Sequence, residues 1–174
     1  GGTGLARERA LILLMLKDIC PDISETRLLN MLHFPSDLKG FNRELEGLKK
    51  WYFIDSSLQD GFGKAVRKNE RLYKAIYDLS ESFSRQRSNI SGAEEPYVSA
   101  RKLIGELRQT LATVCIEALE PDLVILDEFQ RFAHLLTPCD EQSADAELAQ
   151  RLFDYSDENA SVKVLLLSAT PYQM

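Results

Sequence analysis

Two adjacent carboxylates at the end of an apolar run, Asp127 and Glu128 after Leu123-Val124-Ile125-Leu126, are the side chains here best suited to do chemistry. Neighbouring acids can divide a task. One stays ionised and holds a metal ion, and the other accepts a proton from a bound water. Such acids must be held at a fixed edge, and the run before them supplies one. Flanked by Pro121 and the charged pair, residues 122–126 suit a strand of a parallel sheet covered on both faces; a half-exposed strand would alternate. Ligands of open α/β sheets bind beyond the carboxyl ends of the strands, which is where Asp127 and Glu128 fall. The plainer reading is a strand that ends in a solvated acidic turn.

A second run of the same kind, Val162-Lys163-Val164-Leu165-Leu166-Leu167, ends in Ser168-Ala169-Thr170-Pro171. Between the two runs, Ala144, Leu148, Leu152 and Tyr155 recur at helical spacing, with Ser143 as N-cap. This is the pattern of a βαβ unit, and the gap from Phe129 to Ser161 is long enough for the crossover. A right-handed crossover opens both strand ends on the same sheet edge.

Leu126-Asp127-Glu128-Phe129-Gln130-Arg131-Phe132 followed by Leu165-Leu166-Leu167-Ser168-Ala169-Thr170-Pro171-Tyr172 resembles motifs II and III of superfamily 2 helicases and translocases. The nearest likeness is to the bacterial Swi/Snf-like, DExH-type members, and the pair of motifs is the specific signal. The resemblance covers roughly the last third of the chain. It implies a RecA-like P-loop NTPase domain with ATP and Mg²⁺ as cofactors. Asp127 would hold Mg²⁺ through water, and Glu128 would polarise the attacking water. Gln130, Ser168 and Thr170 would couple the nucleotide state to the nucleic-acid track. Gln130 stands where many relatives have His, a departure that touches the coupling contact and not the metal chemistry.

The phosphate-binding loop of such enzymes, G-x-x-x-x-G-K-[ST], cradles phosphates with backbone N–H groups and one ammonium. No such segment occurs in the 174 residues. Gly1-Gly2-Thr3-Gly4 reads as a flexible lead-in and Gly61-Phe62-Gly63-Lys64 as a turn before a helix. The expectation is an internal piece of a longer enzyme, unable to hydrolyse ATP by itself. Without a neighbouring strand, Val164–Leu167 would present an apolar edge prone to pair with a second copy, as a homodimer.

A 44% hydrophobic content is enough for a core, and no apolar run is long enough to span a bilayer, so no membrane partner is expected. Cys20, Cys115 and Cys139 show neither zinc nor disulfide spacing, which suits a cytoplasmic protein. Residues 1–119 hold 18 Lys/Arg against 16 Asp/Glu, and residues 120–174 hold 3 against 11, giving −6 overall. In the resembled family, Mg²⁺, the phosphate-loop lysine and arginines of a second motor domain supply the cations that such an acidic site lacks.

Upstream, residues 5–19 read as a helix apolar almost all round after Arg9. Pro21 ends it, and Asp22-Ile23-Ser24-Glu25 starts a second helix through Leu28, Leu29 and Leu32. Ser36 caps a third, Asp37 to Trp51, with Leu38, Phe41, Leu45 and Leu48 on one face. His33 reads as an ordinary helix-end histidine. A helix-turn-helix reading would put DNA contacts on 36–50, but Asp37, Glu44 and Glu46 dilute Lys39, Arg43, Lys49 and Lys50 there. Lys64 to Phe83 is predicted as one helix whose first half carries Lys64, Arg67, Lys68, Arg71 and Lys74. That is the best basic patch and the nucleic-acid candidate, although cations at a helix N-terminus oppose the macrodipole. Residues 84–96 form a polar linker. Val98–Leu119 is the longest helix, striped with Leu103, Leu107, Leu111, Val114 and Ala118, and is expected to lie on the sheet.

The fold class expected is therefore α/β: a mainly helical insertion, residues 1–96, followed by a partial RecA-like motor domain, residues 97–174. Its partners would be nucleic acid, with DNA foremost, and the remaining motor domains. The alternative is a helical protein-interaction module on a non-catalytic βαβ remnant.

Overall fold

The computed structural model describes residues 3–51, 54–85, 95–119, 121–129, 144–155 and 161–168. Among them are seven helices and two strands, in two compact units, Gly1–Val114 and Cys115–Met174. The division falls inside a helix, later in the chain than the expected boundary after residue 96.

The first unit is a helical assembly packed around α1 (Ala6–Ile19). Ile12, Leu13, Met15 and Leu16 are fully buried, because α2 (Glu25–Leu32), α3 (Leu38–Trp51) and α4 (Ser56–Lys68) all pack against α1. The all-round apolarity expected of this helix is thus met by covering it on several sides. Arg9 is buried with them. Its Nε donates to Leu32 O at 2.9 Å, and its two Nη atoms donate to Thr3 O, Gly4 O, His33 O and Ser36 Oγ at 2.5–3.3 Å. Two of these acceptors lie at the carbonyl end of α2, where the helix dipole favours a cation.

Local capping explains where the next helices start. Ser24 Oγ accepts from Arg27 N and opens α2, so Ser24 and not Asp22 is the cap. Asp37 Oδ1 accepts from Gly40 N at 2.7 Å at the start of α3. Ser36, the expected cap, is taken by Arg9 instead. Asp55 Oδ1 accepts from Ser57 N and Leu58 N and starts α4.

Two expectations upstream of the linker are corrected. The Gly61-Phe62-Gly63 segment is not a turn: it lies inside α4, with Phe62 fully buried. A Cβ on Gly61 would come within 2.8 Å of Val114 Cγ1, so glycine here allows a close approach. Nor is Lys64 to Phe83 one helix. The chain breaks at Asn69, whose Oδ1 accepts from Leu72 N and caps a new helix, α5 (Glu70–Arg85). Lys64, Arg67 and Lys68 therefore sit at the carboxyl end of α4, where the macrodipole favours cations.

The long helix α6 (Glu95–Leu119) starts three residues before the expected Val98. Its stripe of Leu103, Ile104, Leu107, Leu111 and Val114 is buried within the helical unit, while Leu119 is exposed. The face expected to cover a sheet is thus already occupied as far as Val114. Tyr97 packs against Phe34 and Phe83, and Glu106 and Arg108 form ion pairs with Arg71 and Glu8.

The second unit contains β1 (Leu123–Leu126), α7 (Ala144–Phe153) and β2 (Lys163–Leu166). The strands pair in parallel, Leu123 with Lys163 through Leu126 with Leu166. The strand–helix–strand order expected from sequence is present, with each strand within two residues of its expected end. The expected burial is not. Leu123 and Ile125 are 52% and 55% exposed, and Val164 to Leu167 are 40–45% exposed. Two strands offer too little sheet to cover either face, and the described residues contain no third strand.

Candidate functional site

Parallel pairing directs β1 and β2 the same way, so the residues after them share one sheet edge. The ladder runs past the strands: Leu167 N donates to Leu126 O at 2.8 Å, and Phe129 N donates to Leu167 O at 3.2 Å. Asp127 and Glu128 therefore form a turn clasped on both sides by bonds to Leu167, just past β2, and Ser168 is the residue after it. The structure brings together Asp127, Glu128 and Ser168 in this way, all three exposed. Gln130 and Thr170 lie outside the described residues.

The turn itself is unusual. Glu128 has φ of 51°, in the left-handed region that costs a non-glycine residue roughly 1–2 kcal/mol. Asp127 Oδ1 accepts from Glu128 N at 2.9 Å, a local bond that offsets part of this cost and fixes the Asp127 carboxylate. Strain of this kind persists where the surrounding structure over-determines it, here through the two ladder bonds. The strand's lysine, Lys163, pairs with Leu123 at the opposite end of the sheet.

The arrangement can offer two hard oxygen ligands to a cation, or a carboxylate base to a water. Among the described residues no group of three or more His, Cys, Asp or Glu is assembled as a metal cage. A magnesium ion needs only one or two carboxylates, since it keeps several waters and binds substrate phosphates besides. The donor set at the turn fits that ion.

The basic candidates belong to the first unit. Lys64, Arg67 and Lys68 project from the last turns of α4, and Arg71 from the first turn of α5, where its Nη2 lies 2.8 Å from Glu106 Oε2. Alongside Arg71 runs an open groove of about 350 Å³ between α5 and α6. Asp78, Lys102 and Glu106 stand on its walls over Leu79 and Leu103, so its charges balance.

His33 caps α2, with its Nδ1 3.1 Å from Leu29 O, as an ordinary helix-end histidine. Cys20 is buried, and burial pushes its thiol up to about 11 against the opposing pull of the Tyr77 hydroxyl. Tyr77 is itself shifted upward, first through its bond to Tyr73, whose hydroxyl is 3.3 Å away. The sequence reading missed Arg9 and Asn69. A lone arginine opening an apolar helix, and an Asn-Glu step inside a long helical stripe, were the available signals.

Compared with protein-family models, with curated proteins and with solved structures, the chain matches none. No described helix is long and apolar enough to cross a membrane.

Proposed function

We propose that the chain carries part of an ATP-driven nucleic-acid motor, a helicase or translocase acting on DNA, with the Asp127–Glu128 turn in its ATP-hydrolysing site. One observation supports this reading above the others. The two segments that resemble motifs II and III are paired strands whose ends share an edge. Any βαβ unit pairs its strands in parallel, so what supports the reading is that the acidic and the Ser168 ends of the two motif-like segments fall on one edge.

In this reading the Asp127 carboxylate, held by the Glu128 amide, would hold Mg²⁺ through water. Glu128 accepts a proton from the attacking water on a carboxylate oxygen. Bound Mg²⁺ would neutralise phosphate charge beside Asp127. Ser168, with Gln130 and Thr170, transmits the state of the nucleotide to the nucleic-acid track. The phosphate-binding loop and the cations it supplies come from elsewhere in the working enzyme.

The test is Glu128→Gln in the complete ATPase, which keeps shape and hydrogen bonding and removes the base. Turnover is expected to fall by a factor of about 10² or more, with ATP affinity nearly unchanged. Asp127→Asn is expected to weaken Mg²⁺-dependent binding as well as rate. Unchanged ATP hydrolysis in Glu128→Gln would leave the helical interaction module as the better account.

A further inference from the structure

We propose that the exposed basic corner where α4 meets α5, formed by Lys64, Arg67, Lys68 and Lys74, binds the phosphate backbone of a nucleic acid. This surface belongs to the helical unit and does not depend on the nucleotide-site reading.

The break at Asn69 creates the corner. Lys64, Arg67 and Lys68 stand at i, i+3 and i+4, on one face of α4, opposite the buried Phe62 and Val66. Lys74 follows one turn into α5. All four are exposed, and among the described residues none of them forms an ion pair. Between Lys64 and Lys74 the one acid is Glu70, one against four after Arg71 is matched with Glu106, with Asp60 and Asp78 each one helical turn outside. The carboxyl end of α4 explains why the cations are tolerated there, but it is worth only a fraction of a kcal/mol to each. It gives no reason for these three to gather, and Lys74 lies beyond it, in α5.

The surroundings decide the partner. Protein interfaces are built on a buried apolar centre with a polar rim. Among the described residues the exposed large hydrophobics are Leu5, Leu38, Val98, Leu119 and strand residues, none of them between Ile54 and Phe83. A surface of bare cations with no apolar centre suits a partner that offers charge alone. Lys64 and Lys68 are about 6 Å apart along the helix. That is close to two steps of one DNA strand at about 3.4 Å each.

The experiment is fluorescence anisotropy of a labelled DNA duplex, and of the same sequence as a single strand, titrated with the 174-residue chain between about 50 and 200 mM salt. The triple variant Lys64→Glu, Arg67→Glu, Lys68→Glu is expected to bind at least ten-fold more weakly. The slope of log K against log salt is expected to fall by about 2–3, from 0.7–0.9 per lost phosphate contact. Lys39→Glu with Arg43→Glu on α3 serves as a charge-reversal control on another helix and is expected to bind like the parent. Should circular dichroism show the triple variant unfolded, Lys64→Gln and Lys68→Gln singly are each expected to lower the slope by about 0.7–0.9. An unchanged slope in the corner variants, equal losses in the α3 control, no binding by the parent at the lowest salt, or preference for phosphatidylserine vesicles or an acidic protein would each overturn the proposal.

Discussion

Leu11–Leu16 in α1 and Val164–Leu167 in β2 are aliphatic runs of similar make-up with opposite fates. In the first, Ile12, Leu13, Met15 and Leu16 are fully buried. In the second, every residue is at least 40% exposed, and across the sheet Ile125 reaches 55%. The difference lies in how each element can be covered. A helix satisfies its own backbone and needs only neighbours, which α2, α3 and α4 supply from the next 50 residues. A parallel strand needs further strands for its ladder and layers on both faces, and these come from distant parts of a chain. An apolar run states that cover is required and leaves its source open.

Phe62→Ala against Ile125→Ala is the strongest test of this contrast. Phe62 is fully buried and its truncation is expected to cost the helical unit about 3–5 kcal/mol. Ile125→Ala is expected to cost under about 1 kcal/mol, since most of its surface gains little from folding. Urea titrations followed by circular dichroism read both. A large loss for Ile125→Ala, or a loss that grows with protein concentration, would mean that the sheet is covered in solution by a second copy.

Arg9 sharpens the comparison from the polar side, because the helical unit also hides a charge and satisfies it. Arg9→Met keeps much of the volume and leaves the carbonyls of Leu32, His33, Thr3 and Gly4 without their donor. A loss of about 3 kcal/mol is expected, in the range for removing a buried charged partner. Arg9→Lys restores the charge but not the planar fork and is expected to recover only part. Parent-like stability in Arg9→Met would show that the guanidinium is a passenger.

Cys20 gives the buried core a pH signature. Its thiol is raised from 9.0 to about 11 by burial, so the folded state stays neutral where the unfolded chain ionises. The stabilising contribution is complete below pH 9 and is lost as pH rises toward 11, by an amount of order 2 kcal/mol. Cys20→Ala is expected to flatten stability across that window, as measured by urea midpoints. An unaltered alkaline slope in Cys20→Ala would place the titration elsewhere.

Much of the helical order was legible because its signals are local. Pro21 and the periodic leucines mark α1, α2, α3 and α6 to within a few residues. Two of the misses were decided by partners distant in sequence. Ser36 lost its capping role to an arginine 27 residues away, and Gly61-Phe62-Gly63 looks like a turn until Val114 is seen against it. Asn69 was a local signal overridden by the helical stripe around it. At the candidate site, the apolar runs and their polar ends were readable, and so was their parallel pairing. The left-handed Glu128 was not, since its conformation is imposed by ladder bonds from a strand 40 residues on.

The glycines allow the finest comparison, between two positions inside helices of the same unit. Removing backbone freedom from the unfolded chain stabilises a helix by about 0.4–1 kcal/mol when alanine replaces glycine without a clash. At Gly47 in α3 an added Cβ meets nothing within 4 Å, so Gly47→Ala is expected to stabilise by about that amount. At Gly61 in α4 the same methyl would stand 2.8 Å from Val114 Cγ1. The helices must separate or Val114 must turn, at a cost of about 1–3 kcal/mol for overpacking, which exceeds the entropic gain. Gly61→Ala is therefore expected to destabilise where Gly47→Ala stabilises, and Val114→Ala should rescue Gly61→Ala by making room for the methyl. Two substitutions of the same sign, or no rescue, would show that α4 and α6 do not meet at Gly61.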